Sequence, residues 1–469
     1  MSFTTDESRW SDVWLAAAAR GTTICGDFLA ATALALALQG AGAGGLAVSG
    51  LLLAATLPLV VLAPLAGRLA DRTDSRTLLV TVGFGQAAIC ALLAVVEQPV
   101  LVVGLVTLLA CGLAVTQPCL AALLPAMVRP ADLPRASAIS QTAVSLGALG
   151  GPVLAGLLVG QFGTRVPLLL DAATYLALVV AGLLLRTRRG GRRPAASQAA
   201  VSSEAAASEA AASEASAASS PAVSGGVPTP GGTEISWRLR RDPLMLVMVV
   251  STAVVIAAIG GINVIEVFFI RETLGGSATT YGLVSAAWMA GMLPGTWLAV
   301  RLARRLDDDG ALVRGVLATL AVCSLMVLLA ASVPAAGVLV PLWLVGGAAN
   351  GGENVFANLL TARRVPEAMR ARAYASYGAA VQGGSMAGFL IGGALLAAVP
   401  PRPLIAGAGV VGLLVVLVFV PVVTRAVRRS SSAGLATPGQ PAEPGPAAGD
   451  TVGPWLSASH ARGSGTSSS

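Results

Sequence analysis

Long apolar runs dominate the sequence and restrict what it can fold into. The run from Gly45 to Ala66 contains no charged residue, and neither does the run from Thr77 to Val96. About twenty apolar residues are the length that an α-helix needs to cross the hydrocarbon core of a bilayer. Strands of membrane β-barrels instead alternate polar and apolar residues over about ten positions. The sequence therefore predicts an all-α integral membrane protein.

The composition supports this fold class. Of the 469 residues, 55% are hydrophobic and only 11% are charged, whereas soluble domains are about 25% charged. A water-soluble chain of this composition would expose large apolar patches. Twelve transmembrane helices are predicted, at about residues 13–38, 46–66, 77–96, 100–124, 136–160, 166–185, 243–270, 277–300, 311–333, 337–360, 373–399 and 403–424.

The arginine distribution predicts the orientation of these spans. The 30 basic residues are all arginine, and 26 of them lie in the two tails or in the loops that join an even-numbered span to the next. The opposite loops hold only Arg165, Arg271 and Arg402. Because cytoplasmic loops carry an excess of basic residues, we expect a multi-pass protein of the cell membrane with both termini in the cytoplasm.

Two segments differ in composition from the spans. Residues 186–241 and 425–469 are rich in Ala, Ser, Pro and Gly. Such segments bury too little apolar surface to fold, so we expect a disordered cytoplasmic linker and a disordered tail. The chain is thereby divided into a six-helix bundle (1–185), the linker (186–241), a second six-helix bundle (242–424) and the tail (425–469).

The two predicted bundles resemble each other in sequence. A shift of 237 residues superposes Arg135 on Arg372, Gly147 on Gly384, Gly151 on Gly388, and Gly156 on Gly393. Self-similarity of this kind indicates an internal repeat. Repeats of transmembrane helices are typical of transporters, which bind their substrate between the repeats near the bilayer midplane.

A charged segment separates the second and third spans. It contains Gly67, Asp71, Arg72 and Arg76. Glycine allows close approach of two helices, and a carboxylate such as that of Asp71 is favoured at a helix N-terminus. A plain anchor at the cytoplasmic face is the alternative interpretation. The matching second-half segment has Ala303 in place of the aspartate, so any special role belongs to the first half.

These motifs resemble those of a known family. The spacing Gly-x-x-x-Asp-Arg-x-x-x-Arg is similar to the signature of the major facilitator superfamily between its second and third helices. In the fifth span, Gly147, Gly151, Pro152 and Gly156 resemble the Gly/Pro motif of the family's antiporters, with Ala155 where glycine is usual. Simple helix packing is the alternative for this motif. Further stretches, such as Gly26-Asp27, resemble the drug-efflux branch, which includes macrolide and siderophore exporters.

The resemblance covers about residues 10–424 and implies a fold and an activity. It implies two six-helix bundles that rock about a central cavity. The charged segment would latch the halves together in the outward-facing state. Many proton-driven members carry an arginine in the fourth helix, but the fourth span here has none. Proton coupling is therefore not implied by that motif.

Ionisable residues inside predicted spans are candidate functional residues, because burying a charge in a bilayer is costly. Asp27 lies near the middle of the first span, and Arg20 lies two turns earlier on the same helix face, about 10 Å away along the axis. The pair is interpreted either as a proton or substrate site or as a structural polar pair.

The second bundle carries further polar candidates. Asn350 and Asn354 share one face of the tenth span, with Glu353 beside it. We expect this stripe to face the cavity, with an interhelical hydrogen-bond network as the alternative. Glu266 lies late in the seventh span, where cavity lining and headgroup exposure are equally open.

No cofactor, metal site or enzymatic activity is predicted. The only histidine is His460 in the tail, and the sequence contains no lysine and no nucleotide-binding or nucleophile motif. The predicted partners are a small-molecule substrate, protons and the lipid bilayer, without nucleic acid, and the protein is expected to be a monomer. The sequence favours a proton-coupled exporter of amphipathic organic compounds such as a drug or natural product. The alternatives are a narrow-substrate exporter of a siderophore or macrolide, and a non-transporting membrane sensor or assembly protein.

Overall fold

The computed structural model describes residues 8–187, 242–306 and 308–435, and these parts are almost entirely helical. The first half contains α1 (Trp10–Gly40), α2 (Gly44–Val61), α3 (Ala63–Arg72), α4 (Ser75–Leu93), α5 (Pro99–Met127), α6 (Leu133–Phe162) and α7 (Arg165–Leu184). The second half contains α8 (Pro243–Gly260), α9 (Ile262–Phe268), α10 (Ala278–Ala303), α11 (Asp309–Ala330), α12 (Leu339–Arg364), α13 (Glu367–Leu395) and α14 (Pro401–Leu435). Because α2 with α3 and α8 with α9 each form one span, twelve spans result, as predicted.

Ten of the spans are long and apolar enough to cross a membrane by length and composition alone. Among the described residues, the two that fall short are α12 and α13. Helix α12 carries Asn350, Glu353 and Asn354, and α13 carries Gln382. The two spans that fall short are therefore the tenth, which carries the predicted polar stripe, and the eleventh.

The packing of the helices repeats between the halves. Helix α1 packs along α6 and α2 along α5, and the same two pairings recur as α8 with α13 and α10 with α12. The repeated glycines allow the first pairing in each half. A methyl group on Gly147 of α6 would lie 2.2 Å from the backbone oxygen of Gly21, and one on Gly384 of α13 would lie 2.5 Å from that of Ala253. The predicted internal repeat is confirmed in three dimensions.

The loop between the second and third spans is shorter than the sequence predicted. Residues up to Arg72 belong to α3, and only Thr73 and Asp74 separate α3 from α4. Proline lacks an amide hydrogen and is tolerated in the first turn of a helix, and Pro64 stands in the first turn of α3. The span therefore breaks at Leu62 and restarts, instead of ending at the predicted residue 66.

Several predicted features of the termini and loops fall outside the described residues. The surroundings of Gly67 and the side chains of Asp71 and Arg72 are among them, as are residues 188–241 of the predicted linker and residues 436–469 of the tail. Helix α14 continues to Leu435 and so passes the predicted start of the tail at residue 425. At the start of α4, the carboxylate of Asp74 accepts a hydrogen bond from the Thr77 amide at 3.3 Å.

The two halves meet at the membrane face opposite the N-terminus, here called the distal end. One contact joins α2 to α13, where the Ser49 hydroxyl donates to the backbone oxygen of Phe389 at 2.6 Å. A second joins α10 to α6, where the Thr279 hydroxyl donates to the backbone oxygen of Gly156 at 3.3 Å. We call these two crossings the distal contacts.

Glycines bring the backbones together at both distal contacts. A methyl group on Gly45 would lie 2.8 Å from the backbone oxygen of Gly393, and one on Gly282 would lie 2.2 Å from that of Pro152. The shift of 237 residues that superposes Gly156 on Gly393 also superposes Gly45 on Gly282. The distal contacts are therefore two copies of one interaction, related by the internal repeat.

Candidate functional site

A cavity of about 310 Å³ lies between the two halves. Its walls come from α1, α2 and α6 of the first half and from α8 to α13 of the second. Bulky apolar and aromatic side chains form much of the wall, among them Phe28, Ile256, Tyr281, Trp288, Met289 and Trp343. Fewer polar groups reach it, among them Thr32, Asn263, Glu266, Ser285, Asn350 and Ser385. The arrangement suits a largely apolar ligand held by a few polar contacts.

Glu266 is the one charged side chain among the described residues that line the cavity. It belongs to the short helix α9 and is only 7% exposed. The Ser285 hydroxyl approaches its carboxylate at 3.5 Å, and the indole of Trp343 faces the same group. The sequence left open whether Glu266 lines the cavity or lies among the lipid headgroups. In the structure it lines the cavity.

A kink in the seventh span precedes Glu266. Helix α8 ends at Gly260 and α9 starts at Ile262, and the Asn263 side chain donates to the backbone oxygen of Gly260 at 3.2 Å. A methyl group on Gly261 would lie 3.0 Å from the backbone oxygen of Gly388 in α13. Gly261 itself keeps helical dihedral angles, so the span is kinked at this point and continues as a helix toward Glu266.

Asp27 lies away from this cavity, between α1 and α7. The Tyr175 hydroxyl donates to its Oδ1 at 2.5 Å, whereas the buried Oδ2 has no partner. Asp171 lies beside it and accepts hydrogen bonds from Cys90 at 3.1 Å and Thr174 at 3.1 Å. Asp27 therefore belongs to a polar cluster inside the first bundle.

Arg20 and Asp27 have different partners. One guanidinium nitrogen of Arg20 donates to the Ser140 hydroxyl of α6 at 3.3 Å, and its buried Nε has no partner. Asp27 instead turns to α7. The predicted pairing along one helix face is thus replaced by contacts to two neighbouring helices, because both side chains find nearer partners there.

The predicted polar stripe of the tenth span is divided between two environments. Asn350 lines the cavity, and its backbone oxygen accepts a hydrogen bond from the Asn354 side-chain Nδ2 at 2.9 Å. Glu353 is 2% exposed and accepts hydrogen bonds from Tyr377 at 2.7 Å and Thr252 at 3.2 Å. Glu353 therefore joins α8, α12 and α13 inside the second bundle and is not among the residues that line the cavity.

The Gly/Pro motif of α6 serves two interfaces. Gly147 and Gly151 press against the backbone of α1 within the first half. Pro152 lines the cavity, and Gly156 packs on α10 at a distal contact. Of the charged segment, Arg76 lies in the first turn of α4 and is half-buried.

Two cavity residues were missed from the sequence, Trp288 and Trp343. Their rings meet edge to face with centroids 6.3 Å apart. The chain has only seven tryptophans, and tryptophan is enriched at membrane interfaces. The position of Trp288 in the middle of the predicted span 277–300 was therefore a usable signal of a cavity, whereas Trp343 lies near the start of the predicted span 337–360.

Comparisons with known proteins agree with this architecture. The chain matches the family described as Major Facilitator Superfamily over residues 16–262 and again over 248–462. No curated protein sequence matches the chain.

Solved structures share the fold at low sequence identity. A crystal structure of a mutant of the nucleoside transporter NupG is 14% identical, with a TM-score of 0.66 over 87% of this chain and 98% of that one. The peptide transporter POT in complex with sulfate is 13% identical, with a TM-score of 0.63 over 91% and 96%. A bacterial homolog of the human lysosomal transporter Spinster, inward-facing and unoccupied, is 14% identical, with a TM-score of 0.61 over 90% and 97%.

The family match spans both halves of the chain, and the twelve spans are arranged in two repeated bundles around a shared cavity. The chain belongs to the Major Facilitator Superfamily.

Proposed function

We propose that the protein is a secondary active transporter that exports amphipathic organic compounds, such as a drug or natural product, in exchange for protons. The observation that carries the proposal is the cavity between the halves, with walls that are mostly apolar and aromatic and that contain a single acid among the described residues. Such a site binds an apolar body and orients it through a few polar groups. The broad apolar wall favours an amphipathic substrate over a strongly hydrated one.

Alternating access follows from the distal contacts. The halves touch at the distal end, and the arginine excess assigns the opposite end to the cytoplasm. In this proposal the distal end is the outer one, so the distal contacts close the cavity toward the outside. Export requires the distal contacts to separate, so that the two bundles rock about the cavity.

Protons are carried by the buried acids of the two bundles in this proposal. Asp27 accepts a hydrogen bond from the Tyr175 hydroxyl, and Glu353 accepts one from the Tyr377 hydroxyl. Neither lies near enough to a basic side chain to form an ion pair among the described residues. An acid without a cationic partner in a bilayer is favoured in its neutral form, so each can hold a proton and release it when water enters.

Asp27→Asn and Glu353→Gln should each uncouple transport from the proton gradient. The amides keep the size and the hydrogen bonds of the acids but hold no exchangeable proton. In liposomes with an imposed pH gradient, we expect at least a tenfold loss of uphill transport by either variant, with downhill exchange less affected. Full uphill activity in both variants would disprove the assignment. Glu97→Gln, at an exposed loop residue, is the matched control.

The charged segment Gly67, Asp71, Arg72 and Arg76 is proposed as the latch of the outward-facing state. A carboxylate at Asp71 would hold the cytoplasmic ends of the bundles together through helix N-terminal amides. Asp71→Asn should therefore slow transport about tenfold without lowering the amount of folded protein, whereas Arg76→Gln should have a smaller effect. Equal activity of Asp71→Asn and the unmodified protein would leave the segment with a topological role alone.

A further inference from the structure

We propose that the cavity selects organic cations and that Glu266 is the counter-ion of the bound ligand. The inference deepens the proposed function, since it assumes that this cavity is the substrate site. It concerns the charge of the ligand, which the proposed function leaves open.

The cavity wall contains an acid and no base among the described residues. Glu266 is the single ionisable acid of the wall, and no arginine is present among the described residues that line it. An ionised carboxylate without a partner in an apolar environment is strongly disfavoured. Glu266 is therefore neutral while the cavity is empty, and a positively charged ligand stabilises its ionised form. An anionic ligand finds no positive partner among the described residues of the wall.

The contacts of Glu266 leave it available to a ligand. A carboxylate accepts about four hydrogen bonds, and Glu266 is approached by Ser285 at 3.5 Å and by the indole of Trp343. The acid of the second bundle, Glu353, is instead held by Tyr377 at 2.7 Å and Thr252 at 3.2 Å. Of the two acids, only Glu266 is among the residues that line the cavity.

Aromatic rings complete the site for a cation. Trp288 and Trp343 stand edge to face at 6.3 Å, and Tyr281 and Phe28 line the same space. The faces of aromatic rings attract cations, tryptophan most strongly, and the attraction grows when the cation is removed from water. A quaternary ammonium or phosphonium with aromatic substituents matches both the acid and the rings.

The test compares two ions of nearly equal shape and opposite charge. Radiolabelled tetraphenylphosphonium and tetraphenylborate are titrated against the purified full-length protein in lipid nanodiscs, with empty nanodiscs as the background. We expect saturable binding of the cation and none of the anion. Glu266→Gln should weaken cation binding about tenfold or more, because it removes the charge and keeps the size.

Matched variants separate charge from shape. Glu266→Asp keeps the charge and should retain the preference for the cation. Glu272→Gln is the same change six residues later, at an exposed residue outside the cavity that bonds Gln39, and it should bind the cation as the unmodified protein does. Trp288→Phe should keep more affinity than Trp288→Leu, because only the former retains a ring.

The outcomes distinguish this inference from the proposed function. Equal binding of cation and anion by the unmodified protein, or undiminished cation binding by Glu266→Gln, would overturn the inference. Should Glu266→Gln fail to fold, the charge preference of the unmodified protein and the two Trp288 variants decide the question. Selective cation binding without transport of any amphipathic compound in liposomes would instead overturn the proposed function and leave the inference standing.

Discussion

Replacing Gly282 with leucine should abolish transport while the protein remains folded. A side chain at this position starts with a Cβ atom 2.2 Å from the Pro152 oxygen and 3.0 Å from the Gly156 Cα. Both are backbone atoms, so α6 and α10 have to separate at the distal end. Overpacking of this kind costs about 1–3 kcal/mol. A bias of that size shifts the equilibrium between distal-closed and distal-open forms by roughly 5–150-fold.

The shift is measurable by labelling from the distal side. Thr32→Cys places a thiol in the cavity wall, after the five native cysteines have been replaced. With Gly282→Leu, we expect a membrane-impermeant thiol reagent to label this residue faster from the outside. Gly393→Leu should behave alike because the repeat places it at the second distal contact. Gly104→Leu is the control, since a side chain there meets nothing within 4 Å. Normal transport by Gly282→Leu would show that distal closure is dispensable.

The fold was largely predictable because span length and the internal repeat are properties of the sequence. Continuous apolar runs predicted twelve spans, and the structure confirms them. The equivalent glycines of α6 and α13 were identified from the sequence alone, by superposing the halves with a shift of 237 residues. The break within the second span was not predicted, because Pro58 and Pro64 lie inside one uncharged run and hydropathy does not separate a helix from two shorter ones.

The candidate site was less predictable than the fold. Asp27 and Glu353 were singled out because charges are rare in spans, yet the structure buries them inside separate bundles. Their environments depend on Tyr175 and Tyr377, which come from other helices and cannot be paired by spacing. The sequence could not decide whether Glu266 lines the cavity or faces the headgroups, for the same reason. The residues that form the cavity around it, such as Trp288 of α10 and Trp343 of α12, come from other helices.

Arg364→Ala should strongly destabilise the second bundle. We expect a larger loss of stability than from any other single substitution of a charged residue at the described helix ends and loops of that bundle. The Arg364 guanidinium donates to Asp242 at 2.8 Å and to Asp309 at 3.0 Å, and the Asp242 side chain is only 9% exposed. Asp242 also accepts a hydrogen bond from the Met245 amide at the start of α8. The alanine would leave a buried carboxylate without its cation, which costs about 3–5 kcal/mol. The measurement is the thermal stability of the detergent-purified protein.

Two further variants identify the source of that loss. Arg314 and Asp308 form an exposed pair at 3.5 Å in the same half. Exposed pairs contribute about 0–1 kcal/mol, so Arg314→Ala should leave stability nearly unchanged. Adding Asp242→Asn to Arg364→Ala removes the unpaired charge while an amide oxygen can still cap α8, and it should restore part of the stability. A loss with Arg364→Ala no greater than with Arg314→Ala would show that the three-residue network does not hold α8, α11 and α12 together.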